Sequence, residues 1–308
     1  MISNCLVNRL IHYCDEQYRS DNCQYDANSC AELRCFGNCK ECLNQIHFPG
    51  NYQGRIKKDD YDCKKILFFY VCDYLVKYAS EMYYLLVSEN IISKINYLRI
   101  LSIGCGDCPD LIAFEEYFKN SNIINVDYLG VDTNERWVDI NNIIREYYNN
   151  TNRNFNINFL YDSFVGFDID KYQPNFVVIQ YLFSYLYLHN KQFAISQIVD
   201  KINNYIFNAC CNKPIFILIN DVNSINAGRD VWINQFIEKL SNPNIKIITN
   251  KYYFNYNGIN EGQKVGICHF SNELIFKYPD DVDYSMYEGR DECTSVQMVI
   301  EINKETNF

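Results

Sequence analysis

The sequence lacks any long hydrophobic run, since no apolar stretch in its 308 residues approaches the about 20 residues that a membrane-spanning helix needs. Its first residues, MISNCLVNRLIHYC, also lack the long apolar segment of a secretory signal peptide. Neither an internal repeat nor a low-complexity linker is present. Apolar residues make up 48% of the chain and charged residues 21%, which is typical of a globular protein. We therefore expect a globular, cytoplasmic protein without a membrane partner.

An excess of positive charge is also missing. The chain has a net charge of −10, of which −1 falls in residues 1–98 and −9 in residues 99–308. Binding to nucleic acid usually needs a concentrated basic surface that displaces counterions from the phosphates. We therefore do not expect a nucleic-acid partner, and the sequence leaves the oligomeric state open.

Cysteines, by contrast, are numerous. The chain has 15 of them, which is many for a reducing compartment where disulfides rarely persist. The odd count excludes full disulfide pairing within one chain. A cluster of cysteines near one end of a cytoplasmic protein more often binds a metal. Seven lie before residue 43: Cys5, Cys14, Cys23, Cys30, Cys35, Cys39 and Cys42.

The segment CFGNCKEC contains the densest part of this cluster. Cys39 and Cys42 have the spacing of a zinc knuckle, and Cys35 is close enough to be a third thiolate. A structural zinc takes four ligands in a tetrahedral array. We prefer Cys63 as the fourth ligand, because it begins a predicted helix whose N-terminus stabilises a thiolate. A set of free cysteines in a compact cap is the alternative to any metal. The other candidates for the fourth ligand are His47, Cys30 and Cys23.

Cys35, Cys39 and Cys42 also have the C-x3-C-x2-C spacing with which radical S-adenosylmethionine enzymes hold an iron–sulfur cluster. In those enzymes the three cysteines follow the first strand of a barrel. The residues before Cys35, DANSCAELR, are polar and do not predict a strand. An iron–sulfur cluster is therefore less favoured here than zinc.

Changes in residue pattern divide the chain into three parts. Residues 1–60 are polar and Cys-rich and predict a small lobe. Residues 61–97 predict a helical lid or connector, with a helix over 61–95. One apolar face of that helix recurs at three- and four-residue steps: Leu67, Val71, Leu75, Ala79 and Met82. Residues 98–308 predict the main domain.

The main domain alternates short apolar runs with helical stretches. The runs LRILSIG, YLGVD, INFLYD, NFVVIQYL, IFILIND and NIKIIT have strand length and are rich in β-branched or aromatic residues. Residues 111–120, 135–149, 191–208 and 230–241 between them suit helices. This alternation predicts an α/β fold with a mostly parallel sheet covered on both faces. Near the end, ELIFKYP and SVQMVIEI predict an antiparallel pair of strands that closes the sheet.

Polar and glycine residues follow the first three predicted strands. Gly104, Cys105 and Gly106 form a turn between the first strand and a helix that starts at Asp110. Glycines let a backbone approach a ligand closely, and the helix N-terminus adds free N–H groups. Asp132 follows the second strand and Asp162-Ser163 the third. Parallel strands present their carboxyl ends at one edge of a sheet, so these residues predict a ligand site there.

The segments LSIGCGDCPD, GVDTNERW, FLYDS and NFVVIQYLFSYL, in this order, resemble the successive binding motifs of class I S-adenosylmethionine-dependent methyltransferases. The resemblance covers about residues 95–305. It implies a Rossmann-like, seven-stranded sheet and S-adenosylmethionine as the cofactor. By this resemblance the residues around the cofactor are Gly104, Cys105, Gly106, Asp110, Asp132, Thr133, Asp162, Ser163 and Gln180.

The sequence departs from the family pattern at two positions. Ser102 stands where the family often has an acid, and Cys108 takes the place of the third glycine. The segment GCGDCP therefore does not match the G-x-G-x-x-G fingerprint of a nicotinamide dinucleotide site. The departures leave open an alternative function, a methyltransferase-like fold that binds a partner without catalysis.

The sequence does not identify the methyl acceptor. The fourth strand lacks the Asp/Asn-Pro-Pro-aromatic loop of amino-group DNA methyltransferases, and no Pro-Cys pair follows a strand as in cytosine-C5 enzymes. A small molecule or a protein is therefore favoured over DNA. Tyr181 and Tyr185 are the candidate catalytic residues, with His189 a weaker candidate, and Asp221 is expected to face the same cleft.

Overall fold

The computed structural model describes residues 1–20, 39–52, 60–91, 95, 97–121, 125–151, 154–208, 214–240 and 245–304. Within these residues no helix has the length and apolar character that crossing a bilayer requires. Cys23, Cys30 and Cys35, which belong to the predicted metal site, lie outside the described residues.

The described residues form an α/β fold around one eight-stranded sheet, in the order β3-β2-β1-β4-β5-β8-β6-β7. Strands β1 to β5 are parallel to one another, and β8 runs antiparallel between β5 and β6. This confirms the predicted mostly parallel sheet. The strands are β1 (Leu98–Ile103), β2 (Asn125–Asp132), β3 (Asn154–Tyr161), β4 (Phe176–Gln180), β5 (Ile215–Asp221), β6 (Ile245–Tyr253), β7 (Ile267–Cys268) and β8 (Val296–Lys304).

Nine α-helices occur in the part of the chain that the structure describes. Most of them connect consecutive parallel strands, and three precede the first strand. They are α1 (Cys5–Arg19), α2 (Cys39–His47), α3 (Lys64–Ser88), α4 (Pro109–Phe118), α5 (Val138–Asn149), α6 (Ile169–Tyr172), α7 (Leu182–Leu188), α8 (Gln192–Asn208) and α9 (Arg229–Lys239).

Two hydrophobic cores cover the two faces of the sheet. In β5, Phe216 and Leu218 belong to one core, while Ile217 and Ile219 belong to the other. This alternation follows from the two-residue period of a strand. Helices α1 to α5 pack into the first core, and α7, α8 and α9 pack into the second. Strands that are buried on both faces read as continuous apolar runs, which is why the sequence pattern identified them.

Helix α3 is an internal element of the first core. Nineteen of its 25 residues are buried, so it is apolar on nearly every side rather than on one face. The five residues of the predicted apolar face are all fully buried. Because α1 and α2 belong to the same core as the sheet, a separate N-terminal lobe is not confirmed.

The side chain of Glu81, on α3, is fully buried and connects this helix to the sheet. One of its carboxylate oxygens accepts hydrogen bonds from the Tyr181 hydroxyl (2.7 Å) and the Asn220 amide (3.0 Å). The other accepts from the backbone N–H groups of Thr294 (2.9 Å) and Ser295 (3.2 Å). A buried carboxylate is tolerated only when it is compensated in this way.

Two details of the predicted sheet are wrong. The segment ELIFKYP is not a strand, because its residues make only isolated bridges, Ile2 with Phe276 and Glu273 with Glu292. The two-residue strand β7 lies upstream of it instead, so the sheet has eight strands rather than the seven implied by the resemblance. SVQMVIEI does form a strand, β8, but its two antiparallel partners are β5 and β6.

We expect Glu81→Gln to lower the free energy of unfolding by about 2–4 kcal/mol. The glutamine side chain would place an N–H donor where a carboxylate oxygen of Glu81 accepts hydrogen bonds, so the donors at that position would lose their acceptor. Urea denaturation followed by circular dichroism measures this change. The matched control is Glu238→Gln on the exposed side of α9, which should change stability by less than about 0.5 kcal/mol. Equal effects of the two substitutions would contradict the role given to Glu81.

Candidate functional site

One cavity of about 340 Å³ lies at the carboxyl ends of β1 to β4. Its floor is formed by the segments that follow these strands, and residues of α3 and α7 form its sides. In size it falls in the range of small-molecule sites. The structure brings together around this cavity all nine residues that the sequence placed near a cofactor, together with both candidate tyrosines.

The turn after β1 has the backbone that its glycines predict. Gly104 and Gly106 have φ angles of +68° and +49°, and a Cβ atom on Gly104 would lie 3.2 Å from the Leu182 side chain. Cys108, at the position of the missing third glycine, has a φ of +56°. A left-handed backbone costs a non-glycine residue about 1–2 kcal/mol. The loop therefore keeps a glycine-like path even though a cysteine stands there.

Asp132 connects the first two strand ends. Its carboxylate accepts hydrogen bonds from the backbone N–H groups of Gly106 (3.1 Å) and Asn134 (2.8 Å). Burial raises the pKa of Asp132 to about 6 in spite of these bonds. Since a carboxylate has about four lone-pair positions, Asp132 can still accept bonds from a ligand. Its neighbour Thr133 also lines the cavity.

The other predicted cofactor residues differ in exposure. Asp110, at the start of α4, is buried and accepts a hydrogen bond from the Tyr128 hydroxyl (3.1 Å), and burial raises its pKa to about 6. Asp162 and Ser163 are exposed at the rim, where Asp162 accepts a bond from the Ser163 N–H (2.6 Å). Asp110 is therefore held by its own neighbours, whereas Asp162 is open to a ligand.

Tyr181 is fixed at the N-terminus of α7. It has a φ of +52°, its hydroxyl donates to Glu81, and its ring stacks on Tyr78 with 3.8 Å between ring centroids. Burial raises the pKa of Tyr181 well above its ordinary value, so its phenol stays protonated at neutral pH. Tyr185 lies nearer the rim and accepts a hydrogen bond from Lys191 (3.2 Å). Tyr181 therefore suits a positioning role better than that of a general base.

Sequence reasoning missed Asp107, which lines the cavity within the glycine turn. This residue is 2% exposed, and its Oδ2 has no hydrogen-bond partner among the described residues. Burial raises its pKa to about 7. Its place inside the segment GCGDC was the available signal.

The sequence also missed several aromatic residues of the wall. Tyr61, Tyr70, Tyr78 and Trp137 line the cavity, although the tyrosines of the helix read as ordinary packing. Tyr70, Tyr74 and Tyr78 stand four residues apart on one face of α3, and Tyr70 lies 6.0 Å from Trp137 between ring centroids. No sequence signal distinguishes such residues from core aromatics.

Two other residues that the sequence placed near this cleft lie outside its lining. Asp221 does not face the cavity, so that prediction is wrong. It is fully buried and caps α7 by accepting bonds from the N–H groups of Phe183 (2.9 Å) and Ser184 (3.1 Å). His189 lies outside the lining, where its Nε2 donates to the Ile46 carbonyl (2.9 Å).

The predicted zinc site is not supported. Among the described residues no group of three or more His, Cys, Asp or Glu side chains could hold a metal ion, although Cys39, Cys42 and Cys63 are all described. Cys42 and Cys63 are instead buried in the first hydrophobic core. His47, the alternative ligand, contacts the hydroxyls of Tyr61 (2.8 Å) and Tyr74 (3.2 Å) through its two ring nitrogens. The sheet is also open, whereas the iron–sulfur alternative expected a barrel.

Comparison with known proteins gives likenesses only among solved structures. No protein-family model and no curated protein matches the sequence. The chain is similar to the plantazolicin methyltransferase BpumL in complex with SAH, at 11% identity over 96% of this chain and 96% of that chain, with a TM-score of 0.39.

Two further similar structures are also methyltransferases. The CurJ carbon methyltransferase matches at 10% identity over 98% of this chain and 82% of that chain, with a TM-score of 0.43. Phosphoethanolamine N-methyltransferase 1 of Haemonchus contortus matches at 13% identity over 72% of this chain and 33% of that chain, with a TM-score of 0.33. These values are too low to carry an argument about the activity of this chain.

We expect Asp107→Asn to stabilise the protein at alkaline pH. The pKa of Asp107 rises from 3.8 to about 7 on folding, so the folded state binds the proton more tightly and stability falls as pH rises through this interval. At pH 8 the variant should exceed the wild type by about 2–4 kcal/mol in the free energy of unfolding, and the gain should disappear near pH 4.

Urea denaturation at a series of pH values checks this expectation. Asp170→Asn, an exposed substitution on α6, is the matched control and should change the free energy of unfolding by less than about 0.5 kcal/mol. A gain for Asp107→Asn that is the same at pH 4 and pH 8 would contradict the assignment of a raised pKa.

Proposed function

We propose that this chain is an S-adenosylmethionine-dependent methyltransferase. The proposal rests on one observation. The ends of four strands lie at one cavity, and every sequence-predicted cofactor residue is in its lining. In the sheet order, β1 and β4 are neighbours at the point where the direction of strand addition reverses. Open parallel sheets bind their ligands outside the carboxyl ends of the strands at such a point.

The residues have separate tasks under this proposal. Gly104 and Gly106 let the backbone approach the methionine part of the cofactor. Asp132 accepts hydrogen bonds from the ribose hydroxyls, and Asp162 with Ser163 meets the adenine at the rim. The bound cofactor supplies an electrophilic methyl group on a sulfonium. The chain contributes alignment of the acceptor with that methyl group and exclusion of water, since the reaction is an in-line displacement.

Gln180 and Tyr181 are proposed to lie beside the methyl group. Gln180 is the last residue of β4, and its amide donates to the Tyr78 carbonyl oxygen (3.2 Å). Tyr181 is held by Glu81 and Tyr78, as described above. Tyr181 and Tyr185 therefore remain proposed active-site residues that orient the acceptor, and a small molecule or a protein remains the favoured acceptor class.

The second candidate function is a binding module with this fold and no catalysis. Ser102 in place of an acid is the observation that favours it. Ser102 lines the cavity close to Asp110, where its hydroxyl partly offsets the rise in the pKa of that carboxyl group. Cys108, by contrast, keeps the backbone of the missing glycine, which removes one of the two objections to a cofactor site.

We expect the protein to bind S-adenosylmethionine in the micromolar range and Asp132→Ala to weaken binding by at least about tenfold, because bonds to a charged group contribute about 1.5–3 kcal/mol. Isothermal titration calorimetry measures both. Asp170→Ala, on the exposed side of α6, is the control and should bind like the wild type.

Absence of S-adenosylmethionine binding by the folded wild type would overturn the methyltransferase proposal and favour the binding module. Binding that is unaffected by Asp132→Ala would leave the cofactor but reject the ribose role given to Asp132. Circular dichroism of each variant separates a lost contact from a lost fold.

A further inference from the structure

Two buried polar atoms in the cavity have no hydrogen-bond partner among the described residues: Oδ2 of Asp107 and Oε1 of Gln180. Both are acceptors. Buried polar groups in native proteins are nearly always paired, and leaving one unpaired costs about 1–3 kcal/mol. A ligand that presents hydrogen-bond donors at both places would satisfy these two atoms.

The two atoms belong to adjoining parts of the sheet. Ile103 of β1 pairs with Ile179 of β4, so the next residues, Gly104 and Gln180, are neighbours where the two strands end. Asp107 follows three residues later in the same turn. The two orphaned acceptors therefore belong to the adjoining ends of β1 and β4, in the lining of one cavity.

The surroundings of Asp107 are acidic and phenolic. Asp110 and Asp132 lie close enough for their charges to raise its pKa further. The phenols of Tyr61, just before α3, and of Tyr70, on α3, are close enough for the charge of Asp107 to raise their pKa. Among the residues that the structure describes, the lining contains five aspartates and one cationic side chain: Asp60, Asp107, Asp110, Asp132, Asp162 and Lys191.

That cationic side chain does not neutralise Asp107. Lys191 is exposed, and its ammonium donates to the Tyr185 hydroxyl and lies 5.0 Å from the centre of that ring. Among the described residues, the lining therefore has an excess of acidic over basic side chains, and it includes the two unpaired acceptor atoms. A positively charged nitrogen with several N–H donors is the group that satisfies both conditions.

We propose, resting on the methyltransferase function above, that the methyl acceptor is a primary or secondary amine that enters as its ammonium ion and is held by Asp107 and Gln180. Asp107 is the proton acceptor and Gln180 orients the nitrogen through its side-chain carbonyl. Tyr61, Tyr70 and Tyr78 cover the amine and keep water out.

In the proposed reaction, a proton transfer precedes the transfer of the methyl group. The ammonium gives one proton to the Asp107 carboxylate, which becomes a carboxylic acid, and the nitrogen regains its lone pair. That pair forms the new C–N bond as the S–CH₃ bond breaks, and the electrons of the broken bond stay on sulfur. The products are S-adenosylhomocysteine and an N-methylated ammonium ion, and Asp107 then loses its proton to solvent.

The ammonium group of the cofactor itself competes for Asp107, so the experiment has to separate the two. We would first titrate the wild type with S-adenosylhomocysteine, which tests the methyltransferase proposal. Benzylamine, benzyl alcohol and benzoate would then be titrated into the saturated complex. They match in shape and differ in charge, and benzylamine should bind at least about tenfold more tightly than the other two.

Two variants assign the effect to its residues. Asp107→Asn should lower benzylamine affinity by about tenfold and change the affinities of benzyl alcohol and of S-adenosylhomocysteine by less than about twofold. Gln180→Leu should also weaken the binding of benzylamine. Asp170→Asn is the matched carboxylate-to-amide control and should leave all affinities unchanged.

The outcomes are distinct. No binding of S-adenosylhomocysteine by the wild type overturns both proposals. Normal binding of S-adenosylhomocysteine with no preference for benzylamine, or with no benzylamine binding at all, overturns the amine proposal alone, and a preference for benzoate would point to Lys191 and an anionic acceptor. A loss of S-adenosylhomocysteine affinity of tenfold or more in Asp107→Asn would assign the carboxylate to the cofactor and overturn its role with the acceptor.

Discussion

The buried carboxylate of Glu81 is the interaction on which the arrangement of the site depends. It lies on α3, yet all four of its hydrogen-bond donors come from outside that helix: from the residue before α7, from β5 and from the residues before β8. A charge in this position is stable only while every donor is in place. Glu81 therefore fixes α3 over the sheet and holds the Tyr181 hydroxyl at the cavity in one geometry.

The residues around the cavity suit the binding of a ligand and lower the stability of the fold. Asp107 and Asp110 are buried in the turn after β1 and Asp132 is half-buried at the end of β2, and the pKa of each is raised. Left-handed backbone at Cys108 and Tyr181 adds local strain at the same place. Residues that cost free energy in this way are common at sites where a bound ligand supplies the missing interactions. They therefore support a binding site for a cationic ligand at the ends of β1 and β4.

Much of the fold could be predicted, because strands buried on both faces appear as unbroken apolar runs and the helices between them have a clear period. The glycine turn and Asp132 were predictable because only a few residue types suit a strand end that contacts a ligand. The prediction of a strand at ELIFKYP was wrong because a short run of apolar and aromatic residues can pack into a core without pairing with a strand. The predicted metal site is not supported among the described residues, where Cys42 and Cys63 are buried in the core, because a cysteine can equally serve as a small buried side chain.

The sequence by itself determined the order of strands and helices, the position of the glycine turn and the chain of acids that follow β1, β2 and β3, since these depend on local backbone and periodicity. The tertiary structure alone decided that Tyr61, Tyr70 and Tyr78 reach the cavity and that Asp221 caps a helix instead. It also decided that Oδ2 of Asp107 has no hydrogen-bond partner among the described residues. These properties depend on which side chains the fold brings together from distant segments and on which polar atoms burial leaves unpaired. The local spacing of residues in the sequence contains neither kind of information.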